Sequence, residues 1–417
     1  MTTKKLKVGN VPNLRFPEFE GEWETKKLGE IGDFKNGINK SSEDFGFGVP
    51  FVNLMDIFGK SNISSKEEFS LVNANDREVN LYDLRKGDVL FIRSSVKRSG
   101  VGETSVILED LYKTVYSGFL IRFRDNKIQL NINFKKYCFS TSSFRNRLIS
   151  LSSTSANTNI NQDSLSSLDI YFPTKNEQKK ISCLLSLIDD KIQTQNKILL
   201  HYQSLIKNLR NGIFKQKIRF KNAEGDNFSD WNIVELGSIA KKINTKNKEM
   251  AIKTVLSNSA TFGIMNQSDF FDKEIANPNN INGYYIVEKD DFVYNPRISK
   301  EAPVGPISRN KVGVGVISPL YMVFRFREGD IDYLEHFFNS DTWFGHMENI
   351  ANYGARADRM SFSSSDFSKM LIPVPEIKEQ IRIASFLSNI DQKIQIEKAI
   401  LKQLEHQKQS LLKQMFV

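Results

Sequence analysis

Residues 177–214 read EQKKISCLLSLIDDKIQTQNKILLHYQSLIKNLRNGIF, and this stretch decides the architecture. It contains no proline, and its only glycine, Gly212, falls near the end. Leu185, Ile192, Leu199, Ile206 and Ile213 recur at every seventh position, flanked by Ile181, Ile188, Tyr202 and Leu209. An apolar repeat of seven sustained over several heptads predicts a long helix that pairs along a seam, not a surface helix of a globular domain. At 1.5 Å of rise per residue such a helix is roughly 57 Å long, far more than is needed to close one small domain. The pattern returns later in the chain as Leu387, Ile394, Leu401 and Met415, with Ile383, Ile390, Leu404 and Leu411. Pro173 and Pro375 stand just ahead of the two segments, where helix-start punctuation belongs. Two seams of matching pattern in one chain most simply pack on each other. Because each must return toward the opposite globular part, the expected pair is antiparallel. Gln195 and Glu397 interrupt the seam at equivalent places, either as a register device or as tolerated gaps.

Working outward, the rest of the chain is also doubled. Arg15-Phe16 precedes Trp23, which is followed by Leu28-Gly29-Glu30-Ile31; Arg219-Phe220 precedes Trp231, followed by Leu236-Gly237-Ser238-Ile239. Phe172-Pro173 and Glu177-Gln178-Lys179-Lys180-Ile181 are answered by Val374-Pro375 and Glu379-Gln380-Ile381-Arg382-Ile383. Between these anchors the halves agree only in outline: Lys86-Gly87-Asp88-Val89-Leu90-Phe91 against Lys289-Asp290-Asp291-Phe292-Val293-Tyr294, and Arg122-Phe123-Arg124 against Arg325-Phe326-Arg327. A shared frame with different contents is expected when two halves do the same job on different targets. Short apolar runs such as Val89–Ile92 and Val314–Val323, punctuated by Gly, Asn, Ser and Asp, give each half a globular part with several strands and a few helices.

The 417 residues exceed what one core comfortably serves, so more than one domain is expected. The formal charge of +9 points weakly toward a polyanion such as nucleic acid or an anionic membrane surface. Cys138 and Cys183 are widely separated and without nearby His, which leaves neither a disulfide framework nor a zinc site. Met1–Asn10 lacks the apolar core of a signal peptide, and no stretch approaches the ~20 apolar residues of a membrane span, so a soluble, cytoplasmic protein is expected.

Taken together, the Arg-Phe…Trp…Leu-Gly-x-Ile opening, the Lys-Gly-Asp-Val-Leu-Phe strand and the Pro-then-Glu-Gln-x-x-Ile helix start, in duplicate, resemble the specificity subunits of type I restriction-modification enzymes. The resemblance covers nearly the whole chain. It implies an α/β (mixed α+β) fold: two globular target-recognition domains separated by two long helices forming an antiparallel coiled coil, with a pseudo-two-fold internal repeat. The corresponding ranges are 13–172 and 217–374 for the recognition domains, and 173–216 and 375–417 for the helical spacers. It further implies a subunit with no active site that reads a split site on double-stranded DNA. Two methyltransferase subunits and the restriction/translocase subunits would be its partners, carrying S-adenosylmethionine, ATP and Mg, with no cofactor or metal on this chain. Departures lie mostly in the second half, where Asp290-Asp291 replaces Gly87-Asp88 and Pro296 follows Tyr294, which leaves strand boundaries there open.

Base reading calls for Arg, Lys, Asn, Gln, Ser or Thr on loops, because Arg bonds guanine O6/N7 and Asn or Gln bonds adenine N6/N7 in the major groove. After Val89–Ile92 comes a donor-rich loop with Arg93, Ser95, Lys97 and Arg98, matched in the second half by Arg297 and Lys300. A second polar segment with Asn157 and Asn159 matches one with Arg356 and Arg359, each ahead of a long helix. Each of these residues has three readings: a base contact, a phosphate contact that positions without specifying, or a structural role. The expected helix seam comprises Ile181, Leu185, Ile188, Ile192 and Leu199 with Ile383, Leu387, Ile390, Ile394 and Leu401.

Enzyme signatures are missing. Asn295-Pro296-Arg297 begins like the Asn-Pro-Pro-aromatic turn of an adenine methyltransferase and fails at the third position. No Gly-x-x-x-x-Gly-Lys-Ser/Thr loop occurs. Pro375-Glu376-Ile377-Lys378 only superficially matches a nuclease motif, since Glu is expected at a helix start for dipole reasons. His201, His336, His346 and His406 are scattered, without metal-ligand spacing. The competing reading is a coiled-coil interaction scaffold that binds no DNA.

Overall fold

The computed structural model describes residues 9–154, 157–269, 281–352 and 358–417. They form two compact units: one takes the chain up to Gln195 together with Ile400–Val417, the other is Asn196–Ala399. The two expected long helices are present as Lys175–Phe214 and Ile377–Gln414, of 40 and 38 residues, and each contributes to both units.

In the first unit Val89–Ile92, apolar at every position, is buried along its whole length, as a strand covered on both faces must be. It is the middle strand of a five-stranded sheet ordered Asp33–Asn36, Leu120–Arg124, Val89–Ile92, Thr104–Ile107, Asn62–Ile63. Neighbours are antiparallel except the last pair. Helices Ile132–Cys138 and Ser142–Ser150 begin where Asn131 and Thr141 turn their side-chain oxygens onto the free N–H groups of Phe134 and Phe144. Their apolar faces meet Trp23, Phe91 and Phe123 in one core, which also takes Ile181 and Leu185 from the first turns of the central helix and Met415 and Phe416 from beyond the last helix. Further on, Lys408 pairs with Asp189 at 2.6 Å. Partners on the last helix thus fall in number as those on the central helix rise, so the two helices run antiparallel within this unit.

The second unit repeats the scheme with a four-stranded antiparallel sheet ordered Ala240–Ile243, Met322–Phe326, Phe292–Tyr294, Ile307–Arg309. Its core joins Trp231, Phe292, Phe324 and Phe337 to Ile206, Ile213 and Phe214 of the central helix and to Ile383, Leu387 and Ile394 of the last one. Arg210 reaches Asp391 at 2.6 Å, and Arg219, just past the central helix, reaches Glu379, so the antiparallel sense holds here too.

Three details differ from, or complete, the reading of the sequence. The apolar run Val314–Val323 is two strands in different sheets, Gly315–Ile317 and the start of Met322–Phe326, because Pro319 has no N–H for a ladder and the chain turns there. The alignment of Arg122-Phe123-Arg124 with Arg325-Phe326-Arg327 is off by two. Phe123 lies opposite Val89, the residue after Asp88, and Phe324 opposite Phe292, the residue after Asp291, so Arg124 corresponds to Arg325. A shift of two residues keeps each side chain on the same face, so the alternation of Arg and Phe alone does not reveal it. Finally, Asp290 takes φ 71° where Gly87 takes φ 90°. A short polar side chain tolerates the left-handed region, and the strand ends at Tyr294, before Pro296.

Candidate nucleic-acid interface

Each unit is locked to a long helix by the residues that the duplicated motifs single out. Glu177, almost fully buried in the first turn of its helix, accepts from Arg15 Nε and Nη2 at 2.8 Å each and from Trp23 Nε1 at 3.4 Å. Glu379 accepts from Trp231 Nε1 at 2.9 Å and from Arg219 Nε and Nη2 at 3.2 and 3.4 Å. The neighbouring glutamines do a second task. Gln178 donates to the Pro173 carbonyl and accepts from Asn131 N–H, and Gln380 donates to the Pro375 carbonyl and accepts from Asp330 N–H, all at 2.8 Å. Asn131 and Asp330 are N-caps of the helices that follow the sheets, so each glutamine ties a cap to the start of a long helix. Gly29 and Gly237 complete the frame, since a Cβ on either would come within 3.1 Å of Ser166 or Ser368.

The same doubling ties two interior strands of each sheet together. Asp88 holds Arg124 by two hydrogen bonds of 2.7 Å, and Asp291 holds Arg325 at 2.6 and 3.0 Å. Burial opposes the charge on Arg124, but the hydrogen bonds and charges of Asp88 and Asp83 outweigh it and raise its pKa; on Arg325 the Asp291 hydrogen bonds lead and act in the same direction. These arginines are therefore structural ties within the protein.

On this frame the two polar segments chosen from the sequence meet in each unit. In the first, Arg93 leaves the central strand with its N–H on the Phe119 carbonyl, its Nη1 3.3 Å from the Gly118 carbonyl, and its own carbonyl accepting from Ile160 N–H. Ser94–Ser95 then pairs with Thr158–Asn159, which in turn pairs with Ser153–Thr154. Asn159 donates to the Asn157 carbonyl at 3.0 Å. Lys97 and Arg98 stand exposed on the following turn, and Arg145 holds that turn through the Ser99 carbonyl at 2.7 Å. In the second unit Arg297 bridges Arg359, with Ile298 N–H on the Asp358 carbonyl and Met360 N–H on the Pro296 carbonyl. Arg297 and Lys300 are exposed and Arg359 is half-buried; Arg356 lies outside the described residues. The 3.6 Å pair of Arg297 with Asp358, exposed on both sides, is too weak to hold the guanidinium back from another partner.

The expected seam residues are all at least half-buried, but they divide their work. Ile181 and Leu185 face the core of the first unit, while Ile383, Leu387 and Ile394 face that of the second, with Leu199 and Ile390 packed at its edge. Ile188 is buried, Ile192 and Leu401 are half-buried, and Gln195 and Glu397 are buried polar positions, Glu397 taking Lys393 at 2.9 Å.

Sequence reasoning missed one element of the second unit. The hairpin of Leu256–Ser259 with Gly263–Asn266 and the turn Ser318–Tyr321 come up beside Arg297 and Arg359 and enclose with them a cavity of about 410 Å³. No periodicity marks these segments. Asn295, the start of the near-methyltransferase motif, is used structurally: it donates to the Asn258 carbonyl and accepts from Arg297 N–H. Among the described residues no group of three or more His, Cys, Asp or Glu is placed to hold a metal, and no helix is long and apolar enough to cross a membrane.

This doubled frame has known counterparts. The family model of the type I restriction modification DNA specificity domain matches residues 20–201 and again 228–406, and the chain belongs to that family, as the specificity subunit of a type I restriction-modification system. Among individual relatives, a protein of Methanocaldococcus jannaschii assigned as the MjaX type I restriction enzyme specificity subunit is 23% identical, over 98% of this chain and 94% of its own length. The crystal structure of the type I restriction-modification S subunit from M. genitalium superposes with a TM-score of 0.54 at 15% identity, covering 98% of this chain and 99% of that one. A chain from a structural study of complex assembly and conformational transition of the type I R-M system gives the same TM-score and identity, over 94% and 96%. At such identity the two structures speak for the fold alone. A pure coiled-coil scaffold is not the favoured reading.

Proposed function

We propose that each unit reads one block of a two-part DNA site, and that the chain supplies sequence choice while partner subunits supply the chemistry. The observation that carries this reading is the pairing, in both units, of two donor-rich segments far apart in sequence just beyond the interior sheet strands Val89–Ile92 and Phe292–Tyr294: Ser94–Ser95 with Thr158–Asn159, and Arg297 with Arg359. Both lie on a frame rigidly keyed to a long helix. Loops of this chemistry on a fixed scaffold satisfy what major-groove reading needs. Arg93, Ser95, Lys97, Arg98, Asn157 and Asn159 would serve one block, and Arg297, Lys300, Arg356 and Arg359 the other. Two blocks approached from one side of a duplex have centres about 34–36 Å apart, one helical turn, which implies an unspecified gap between them.

In this reading the chain has no active site and binds no cofactor. Two methyltransferase subunits would bring S-adenosylmethionine, and restriction/translocase subunits would bring ATP and Mg, all acting in the cytoplasm. Methylome sequencing of cells that carry this gene with its methyltransferase partner tests the proposal: a methylated motif of two specified blocks and a fixed gap is expected. Arg93→Ala should relax one block only and Arg297→Ala the other. A continuous motif, or no motif at all, would sink it.

A further inference from the structure

The cavity of the second unit is more than a groove edge. Its volume of about 410 Å³ falls in the range of roughly 300–1,000 Å³ typical of pockets that enclose a small ligand. Tyr321, Leu320, Met265 and Pro296 give it flat or apolar walls. Its inner end is polar. Asn258, 1% exposed, donates its amide N–H groups to the Val293 carbonyl at 2.7 Å and the Pro306 carbonyl at 3.2 Å. The opposite atom, Oδ1, is buried without a hydrogen-bond partner among the described residues. Around the cavity stand two cations, Arg297 and Arg359.

We propose that this cavity receives a single nucleobase, everted from the duplex that the second unit reads. The proposal rests on the reading of that unit as a DNA-binding head. A stacked base presents only its edge at the groove floor and cannot enter a walled cavity, so a base that occupies it must leave the stack. Once out, it matches the lining of the cavity. Its flat faces fit between Tyr321 and the apolar wall, and Ser257, Ser259 and Ser299 on the cavity lining carry hydroxyls suited to the polar edge of a base. Arg297 and Arg359 are suited to the phosphates on either side of the everted nucleotide. A free nucleoside carries the same base chemistry, and the test separates the two sources.

The full chain is used without methyltransferase, because such enzymes evert bases themselves. It is bound to duplexes bearing the mapped site with 2-aminopurine at each position of the second block in turn. A several-fold rise in fluorescence is expected at one position. It should disappear in Ala260→Trp, which fills the cavity from an exposed position, while affinity for the site falls by no more than about tenfold. Tyr321→Ala should reduce the rise without Ala260→Trp's added bulk, so a folding defect in one variant leaves the other as a test. Specific binding with every probe still stacked would overturn eversion and leave the reading head intact. A rise that Ala260→Trp does not alter would place the base elsewhere and overturn the assignment. Saturable binding of free deoxynucleosides, sensitive to Ala260→Trp and with no rise on DNA, would assign the cavity to the free compound and likewise overturn eversion. Failure of the unaltered chain to bind any duplex specifically would sink the DNA-reading role itself.

Discussion

A buried carboxylate at the base of each unit accepts from an indole and a guanidinium at once, and so joins the opening of the repeat to the long helix. Removing one partner of a buried ion pair strands the others and costs about 3–5 kcal/mol. Because Arg15 and Arg219 keep some contact with water, Glu177→Ala and Glu379→Ala should each fall near the lower end, about 3 kcal/mol, read as a lowered urea midpoint for the affected unit. His336 is a different kind of residue. It is buried, and because the Arg210 guanidinium can only donate, Nδ1 must accept from it at 3.3 Å, which leaves Nε2–H to donate to Ser388 Oγ at 3.0 Å. Burial first, and the Arg210 charge second, push its pKa down to about 3, against about 6.5 in an unfolded chain. The unfolded state therefore takes up the proton first as pH falls. The stability this neutral imidazole contributes is complete above about pH 6.5 and is lost progressively as pH falls toward 3. From pH 7 to 5 the second unit should lose about 2 kcal/mol through this group, and His336→Gln should flatten that part of the profile in denaturant titrations.

Among elements, the two long helices were the most legible, since a stripe repeating every seven residues has no other stable use than a partnered face. What the stripe faces was not legible. Leu387 lies in the core of a globular unit, fully buried beside Phe337's cluster, and not on a simple two-helix seam. Leu387→Ala should accordingly cost about 2–5 kcal/mol, as in a domain core, and Leu401→Ala, half-buried, clearly less. Equal small losses at both positions by thermal or chemical unfolding would return Leu387 to a solvated seam. Strands were legible where the pattern was extreme, as in Val89–Ile92. They were not in Ser94–Ser95 and Thr158–Asn159, whose polar residues carry no strand periodicity and pair only because the frame brings them together. The candidate site divides the same way. Arg93, Arg297 and Arg359 could be selected by residue type, whereas Asn258 and Tyr321 could not, because they gain a role only from the cavity that several distant segments enclose.

For the whole molecule the consequence of duplication is that both units hang on the same two helices, which the chain passes through once in each direction. If those helices fix the separation of two reading heads, inserting one heptad into each at Gln195–Asn196 and Ala399–Ile400 adds ~10 Å of helix, about three base pairs of duplex. The methylated motif should then keep both blocks and gain a longer gap. An unchanged gap would show that something other than the helices sets the spacing.

By itself the sequence determined that the chain is doubled, that each half joins a mixed α/β part to a long helix, and which motifs repeat, because these follow from local periodicity and from self-similarity at a constant lag. Only the tertiary structure decided what the repeated motifs are for: a carboxylate under a tryptophan, a glutamine on a helix cap, a strand register two residues away from the one that letters alone imply. Those depend on which distant atoms come within hydrogen-bond reach, and distance in space is not written in the order of residues.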